Sequence, residues 1–581
     1  MPVLHTWTSP LTSFSVCPPF RLQSQRTGGR SVQPPARYAE EQAAYQWQQQ
    51  EQRDINRAIR ASMGSDGPDI AGESSDESPP SLDECSDDEE ESKDSTWSGE
   101  VRDINVPAFS AVPGKQHEAQ RAQSVLDYFQ LFLPLSLLQQ WTGFTNEYVE
   151  SRNDERDWRT TSQELYAFIG VHIFMGICDL PDYHMYWSHE YGHSFVSSTF
   201  SRERFHELLY YFHVAPIQPP LSASDRLYHV RPLIKSLQES FHRQYQPSQY
   251  LTLDESIVAF KGRSAIKQYI PSKPHKWGYK VYCLASDDYL LSFEVYEGKQ
   301  NQSSEYGSTY DLMLQMTEPY QYQQYILFTD NWFTSPTVAN ALLQRGIRLC
   351  GSVKSNRIGM PSISDVDINA LGRGERIHKQ KDDLTVDVWK DRRPLRVLYN
   401  HVSPLKTASL DRWDENRHRI AISCPQAVHD YFYHARSVDV INQLHYSYLI
   451  GRKSKKWWSR LVWWLIDMSI VNAFILWKIG KDGVNQLQFR EQLMRSLVRL
   501  FLSNREPPQG RGDGHSKIYL ASEHFSIMHQ RNEIVFNVVN VPIIESELRM
   551  FVILVKFIFV LGNVLHSITH SVHCNKYAYK V

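Results

Sequence analysis

Three aspartates carry the chemistry that this sequence suggests: Asp254 in LTLDESIVAFKGR, Asp330 in YILFTDNWFTS and Asp439 in ARSVDVINQ. Each lies just after or within an apolar run of strand or helix character. Burying a carboxylate is costly unless a cation neutralises it, so Asp254 and Asp330, at the polar ends of strand-like runs, call for a partner. Three such groups brought together suit a hard divalent ion. Mg²⁺ takes oxygen ligands, retains waters and is commonly held by a few carboxylates plus substrate phosphate oxygens. Two such ions roughly 4 Å apart can clamp the attacking and leaving oxygens of an in-line phosphoryl transfer. Taken singly, an aspartate at a strand end is more often a turn former or helix cap, so the surrounding pattern decides.

That pattern is a succession of strands and helices. LTLDESIVAF alternates, and Tyr279 to Ser286 and Leu290 to Gly298 are aromatic and β-branched runs separated by Asp287-Asp288, a strand-turn-strand signal. A helical segment is expected around Ser308 to Met316, then the strand YILFTD. A helix capped near Thr334-Ser335-Pro336 and the strand RLCGSVK follow. The order is β-β-β-α-β-α-β, with Asp439 on a later helix.

At this point the chain resembles the piggyBac-type transposases and their domesticated relatives. The matching words include ELYAFIGVHIFMGICDLPDYHMYWS, SRERFHELLYYFHV, LTLDESIVAFKGR followed by YIPSKPHKWGYKVY, FTDNWFTSPTVANALLQRGI, GSVKSNRIGMP, VWKDRRPLRVLYN and RKSKKWWSRLVWWLIDMSIVNAFILWK. They run in the family's order over roughly residues 120 to 480. The resemblance implies an α/β fold: an RNase H-like catalytic core, a mixed sheet flanked by helices, at 250–443, with an insertion at about 362–404. It implies a helical dimerisation and DNA-binding domain built from 118–249 and 444–502, and a homodimer. It maps the catalytic and metal-binding aspartates onto Asp254, Asp330 and Asp439, 76 and 109 residues apart, holding two Mg²⁺ or Mn²⁺ ions. Double-stranded DNA with TTAA-type targets, and a nuclear location, are further implications.

Two departures from the family pattern temper the enzymatic reading. The third motif usually has a glycine pair before its aspartate and a second acid after it; here it reads Arg436-Ser437-Val438-Asp439-Val440-Ile441-Asn442-Gln443. Arg436 either brings a cation toward the site or points outward. Asn442 offers a neutral oxygen in place of a charged one. The second departure concerns the Cys/His-rich zinc module common at the family's C-terminus. The seven cysteines stand at 17, 85, 178, 283, 350, 424 and 574 without a CxxC pair, so no zinc module is expected. The stretch 503–581 is an atypical tail; its most apolar run, Met550 to Leu565, spans 16 residues and contains Lys556. Crossing a bilayer takes about 20 apolar residues, so no membrane partner is expected.

Apolar and charged fractions of 41% and 22% are ordinary for globular proteins. Isolated cysteines and the absence of a secretory core favour cytosol or nucleus. The net charge of −3 conceals an asymmetry: Ser65 to Asp94 holds 13 acidic residues against one lysine, leaving the remainder basic. Residues 1–100 are expected to be a disordered, acidic, low-complexity N-terminus. Within them, residues 51–66 have the spacing of a weak ubiquitin-binding helix, which competes with a plain solvated helix.

The basic residues cluster in two places. RKSKKWWSR sets Arg452, Lys453, Lys455 and Lys456 beside tryptophans, which suits phosphate neutralisation with aromatic anchoring. Lys261, Arg263, Lys273 and Lys276 follow the first aspartate and suit the DNA backbone. The run LVWWLIDMSIVNAFILWK is apolar almost all round, as expected for a buried helix. There is no glycine-rich phosphate loop, GxSxG elbow or HExxH helix, so nucleotide hydrolases, serine esterases and zincins lose their usual warrants. The resemblance implies a DDE/DDD-type DNA transposase working by two-metal phosphoryl transfer, or alternatively a domesticated, catalytically impaired DNA-binding or chromatin-associated protein, with a non-functional remnant as a third reading.

Overall fold

The computed structural model describes residues 97–503, apart from 153–156, 219–224, 272, 274, 299–302, 415–417, 452–453 and 455. The expectations for the acidic run, the 51–66 helix, the tail and Arg452, Lys453 and Lys455 therefore fall outside the described residues.

After a short strand β1 (Gly114–Lys115), the first half is helical: α1 (Val125–Gln130), α2 (Leu135–Ser151), α3 (Ser162–Ile177), α4 (Ser194–Thr199), α5 (Arg202–Tyr211) and α6 (Arg231–Gln244). Their starts follow side-chain capping. Ser124 and Asp127 form a capping box at α1, and the Thr161 and Ser201 hydroxyls accept from backbone N–H groups at α3 and α5. The α3 sequence is apolar on every side and buried on nearly every side.

β2 (Tyr245–Gln246) pairs with β1, and the central sheet then begins. It is built from β3 (Tyr250–Ala259), β4 (Gln268–Tyr269), β5 (Trp277–Ser286), β6 (Tyr289–Val295), β7 (Ile326–Thr329) and β8 (Arg348–Ser352). Helix α7 (Ser308–Thr317) precedes β7, and α8 (Pro336–Leu343) connects β7 to β8, capped by Ser335 with proline in its first turn. β3, β5 and β6 are antiparallel neighbours; β3, β7 and β8 are parallel. Asp287 and Asp288, both at positive φ, make the tight β5–β6 turn that the strand-turn-strand pattern predicts.

The inserted segment contains a short helix, α9 (Asp365–Ala370), and three strands: β9 (Arg376–Lys381), β10 (Leu384–Lys390) and β11 (Pro394–Tyr399). They extend the same sheet, giving the order β4-β5-β3-β7-β8-β11-β10-β9 with β6 also on β5. A separate hairpin, β12 (Thr407–Trp413) and β13 (Arg419–Pro425), continues past residue 404. Its outer face is solvated, so its sequence alternates without the long apolar run that marks a core strand.

Four helices complete the described chain: α10 (Gln426–His434), α11 (Ser437–Ser447), α12 (Trp457–Lys478) and α13 (Gln486–Leu502). α12 is long and apolar enough to cross a membrane, yet Trp463, Trp464 and Trp477 are buried and the helix is a core element of the fold. α13 lies close against α3 because Gly170 leaves room: a Cβ there would meet the Met494 carbonyl oxygen at 3.1 Å. One polar knot fixes α11, α12 and α13 together. Asp467 on α12 pairs with Arg490 on α13 at 2.7 Å and accepts from the His445 ring on α11, all three side chains being buried.

Candidate functional site

The parallel pairing of β3 and β7 sets Leu253 opposite Thr329. Asp254 and Asp330, one residue beyond each, therefore emerge side by side at the carboxyl ends of the paired segments, where open α/β sheets place their ligands. β3 itself runs on to Ala259, so Asp254 is a mid-strand residue and not the strand-end residue that its sequence context suggests. The antiparallel partner β5, opposite residues 252–259, supplies the hydrogen bonds that carry the strand past the parallel pairing.

Asp330 is held by its own loop. The Trp332 N–H donates to Asp330 Oδ1 at 2.9 Å, and the Thr334 hydroxyl donates to the Asp330 carbonyl at 2.7 Å. Arg357 donates to the carbonyls of Asn331 and Trp332, fixing the turn from outside. Two ammonium groups approach the Trp332 ring, Lys280 at 4.9 Å and Lys354 at 5.9 Å from its centre.

A residue absent from the sequence expectation completes the cluster. Glu255, next to Asp254, brings a carboxylate oxygen within 4.8 Å of those of Asp254 and Asp330. Strand alternation would send adjacent side chains to opposite faces, which is why Glu255 is passed over when the strand is read by period. The Asp254 carboxylate turns back to accept from the Glu255 N–H at 2.7 Å. Glu255 Oε1 is 3.0 Å from Lys273 Nζ, while Oε2 is buried without a hydrogen-bond partner. The acidic pair Asp-Glu was the available signal.

The electrostatics are those of crowded carboxylates. Burial and the Glu255 charge push the Asp254 carboxyl up to about 8, with Lys273 opposing. Asp330 is raised by the same two causes, against the Trp332 and Phe333 N–H groups and Lys273. Burial alone would lower the Lys273 ammonium, but Asp254 and Glu255 hold it above its ordinary range. An all-oxygen donor set with an unpartnered buried oxygen fits a hard divalent cation.

Asp439 sits in the first turn of α11 and belongs to the rim. It is exposed and stands outside the tight cluster, although its charge reaches Asp254. Asn442, one turn on, does not present its oxygen freely: Oδ1 accepts from the Ser256 hydroxyl at 2.8 Å. Arg436 is exposed, with its guanidinium 5.8 Å from the centre of the Tyr433 ring, the outward of the two placements that its sequence allowed.

The predicted DNA-contacting residues divide. Lys261, Arg263 and Lys276 are exposed on the β3–β5 connection. Lys273 turns inward to Glu255. Lys456 is enclosed by the Tyr148, Tyr210 and Trp458 rings at 5.4–5.9 Å and donates to the Tyr210 carbonyl; burial pushes its amine down to about 8.

Comparison with known proteins gives one consistent picture. A family described as Transposase IS4 matches residues 124–474. The chain is 26% identical over 443 residues to the human piggyBac transposable element-derived protein 5, covering 71% of this chain and 82% of that protein. It is 26% identical over 397 residues to the human piggyBac transposable element-derived protein 3, covering 66% of each. Among solved structures, a piggyBac transposase synaptic complex with hairpin DNA, determined by cryo-EM, shares the fold. It has a TM-score of 0.58 and 23% identity, covering 69% of this chain and 86% of that one.

Proposed function

Because this chain belongs to the piggyBac-type transposase family, we propose that it binds double-stranded DNA and cleaves and rejoins strands at the carboxylate cluster in a reaction dependent on divalent cations. The observation that carries this reading is the register of β3 and β7, which puts Asp254 and Asp330 side by side with Glu255 within 4.8 Å. Asp254, Glu255 and Asp330 would hold Mg²⁺ or Mn²⁺, with Asp439 at the rim. Such ions supply charge stabilisation for the attacking and leaving oxygens of a phosphoryl transfer.

The chain's own residues have separable tasks in this proposal. Lys261, Arg263 and Lys276 contact phosphates and set where the backbone lies, without reading sequence. The Trp332 N–H and the Thr334 hydroxyl keep Asp330 aimed while substrate enters. The helices of 118–249 and 444–502 form the dimerisation and DNA-binding part, and the protein acts as a homodimer in the nucleus on TTAA-type targets.

One observation favours a second reading. Asn442 is neutral and its oxygen is committed to Ser256, so the third motif contributes a single carboxylate. A domesticated protein that binds DNA without completing strand transfer is consistent with that arrangement.

The deciding experiment is nicking of a TTAA-flanked duplex by purified protein in Mg²⁺ or Mn²⁺, beside an Asp330→Ala control. Cleavage that disappears in the control establishes the enzyme. DNA binding that persists without cleavage in either protein establishes the binding module.

A further inference from the structure

We propose that Lys273 and a divalent cation compete for Glu255, so that cation binding releases Lys273 from the carboxylate cluster toward the phosphate backbone of DNA. The inference rests on the carboxylate-site reading above and adds a coupling between metal and DNA that the three aspartates alone do not provide.

Four observations carry it. Lys273 Nζ lies 3.0 Å from Glu255 Oε1, with the two side chains 31% and 12% exposed. The second oxygen, Glu255 Oε2, is buried and unpartnered, so Lys273 satisfies half of this carboxylate. Glu255 shares its neighbourhood with Asp254 and Asp330, all three offering oxygens within 4.8 Å of one another. An ammonium on Glu255 is thus beside the groups that a divalent ion would bind, and like charges at such range repel strongly in a partly buried site.

The fourth observation concerns what can move. The β4–β5 connection is pinned by its backbone: the Ile270 N–H donates to the Lys276 carbonyl at 2.8 Å and the Lys273 N–H to the Ile270 carbonyl at 3.3 Å. Exchange therefore requires only rotation of the four-carbon lysine stem. Lys276 on this connection and Lys261 and Arg263 on the preceding β3–β4 connection are exposed, so a released Lys273 joins cations already facing solvent. Lys280, the other ammonium near the cluster, does not have this freedom because its head group packs over the Tyr282 and Trp332 rings at 4.8 and 4.9 Å. By linkage, DNA that draws Lys273 away must tighten cation binding by the same factor that the cation tightens DNA binding.

The test is calorimetric titration of the full chain with Mn²⁺, with and without a short duplex, for the wild type and Lys273→Met, each checked for folding by thermal melting. Without DNA, Lys273→Met is expected to bind Mn²⁺ on the order of tenfold more tightly. The duplex, whose phosphates can themselves ligate the ion, is expected to tighten Mn²⁺ binding in both proteins, but by a clearly larger factor in the wild type than in Lys273→Met; an equal factor in the two overturns the inference. Lys273→Arg, which keeps the charge, is expected to behave as the wild type. Should Lys273→Met not fold, Lys273→Gln keeps a donor to Glu255 without the charge and serves the same comparison. Unchanged or weaker Mn²⁺ binding in the folded neutral variant overturns the inference. An Asp330→Asn variant separates this from failure of the site itself: if it binds Mn²⁺ as well as the wild type does, the carboxylate reading fails and the inference with it.

Discussion

The Ser256 hydroxyl donates to Asn442 Oδ1 at 2.8 Å, tying the strand that carries Asp254 to the helix that carries Asp439. Ser256 is buried and also accepts from the Cys283 thiol at 3.4 Å. Replacing Asn442 with alanine leaves the hydroxyl without its acceptor, and we expect a loss of about 1 to 2 kcal/mol in urea-induced unfolding. Ser256→Ala removes the donor in the same pair, so the double variant should cost less than the sum of the two single ones.

The carboxylate cluster stores repulsion that a bound cation relieves. Mg²⁺ or Mn²⁺ should raise the melting temperature in proportion to the logarithm of its concentration, and a hundredfold excess over Kd is worth about 2.7 kcal/mol. Asp254→Asn and Asp330→Asn should start from a higher melting temperature in EDTA and show little further rise. A wild-type melting temperature indifferent to both cations would count against a metal site here.

Arg490 and Asp467 are both wholly buried and joined at 2.7 Å. Arg490→Met leaves the buried Asp467 carboxylate with the His445 ring as its remaining partner and should destabilise the protein by about 3 to 5 kcal/mol. Arg490→Met combined with Asp467→Leu should recover part of that loss, which chemical denaturation of both variants would reveal.

The ring of His213 is buried against Tyr148, with Lys456 and His229 nearby, and burial pushes its pKa down to about 4 from an ordinary 6.5. The folded protein thus prefers neutral His213. Its contribution to stability is complete above pH 6.5 and is lost as the pH falls toward 4, by up to about 1.4 kcal/mol for each pH unit. Replacing His213 with phenylalanine should flatten the stability profile in that window, measured as melting temperature against pH.

Exposed and enclosed cations should separate in DNA binding. Lys261→Ala, Arg263→Ala and Lys276→Ala are each expected to reduce the slope of log K against log salt by about 1. Lys456→Ala should leave that slope nearly unchanged and instead lower stability by about 1 to 2 kcal/mol, because its ammonium is spent on three rings and the Tyr210 carbonyl.

Much of this protein is legible in its sequence because local patterns leave few alternatives. The alternation through LTLDESIVA, the Asp287-Asp288 turn, the Ser335-Pro336 helix start and the almost all-round apolar run LVWWLIDMSIVNAFILWK each specify one element, and the last forms the greater part of the helix Trp457–Lys478. What tertiary structure decides is where side chains meet across elements. Only the pairing of Leu253 with Thr329 makes neighbours of two aspartates 76 residues apart, because sequence carries strand period but not inter-strand register. Glu255 enters the cluster against strict alternation, Lys273 leaves the surface to join it, and Asn442 gives its oxygen to Ser256. These three placements answer to the cost of unpaired buried charge and polar groups, a quantity that exists only once the chain has folded around them.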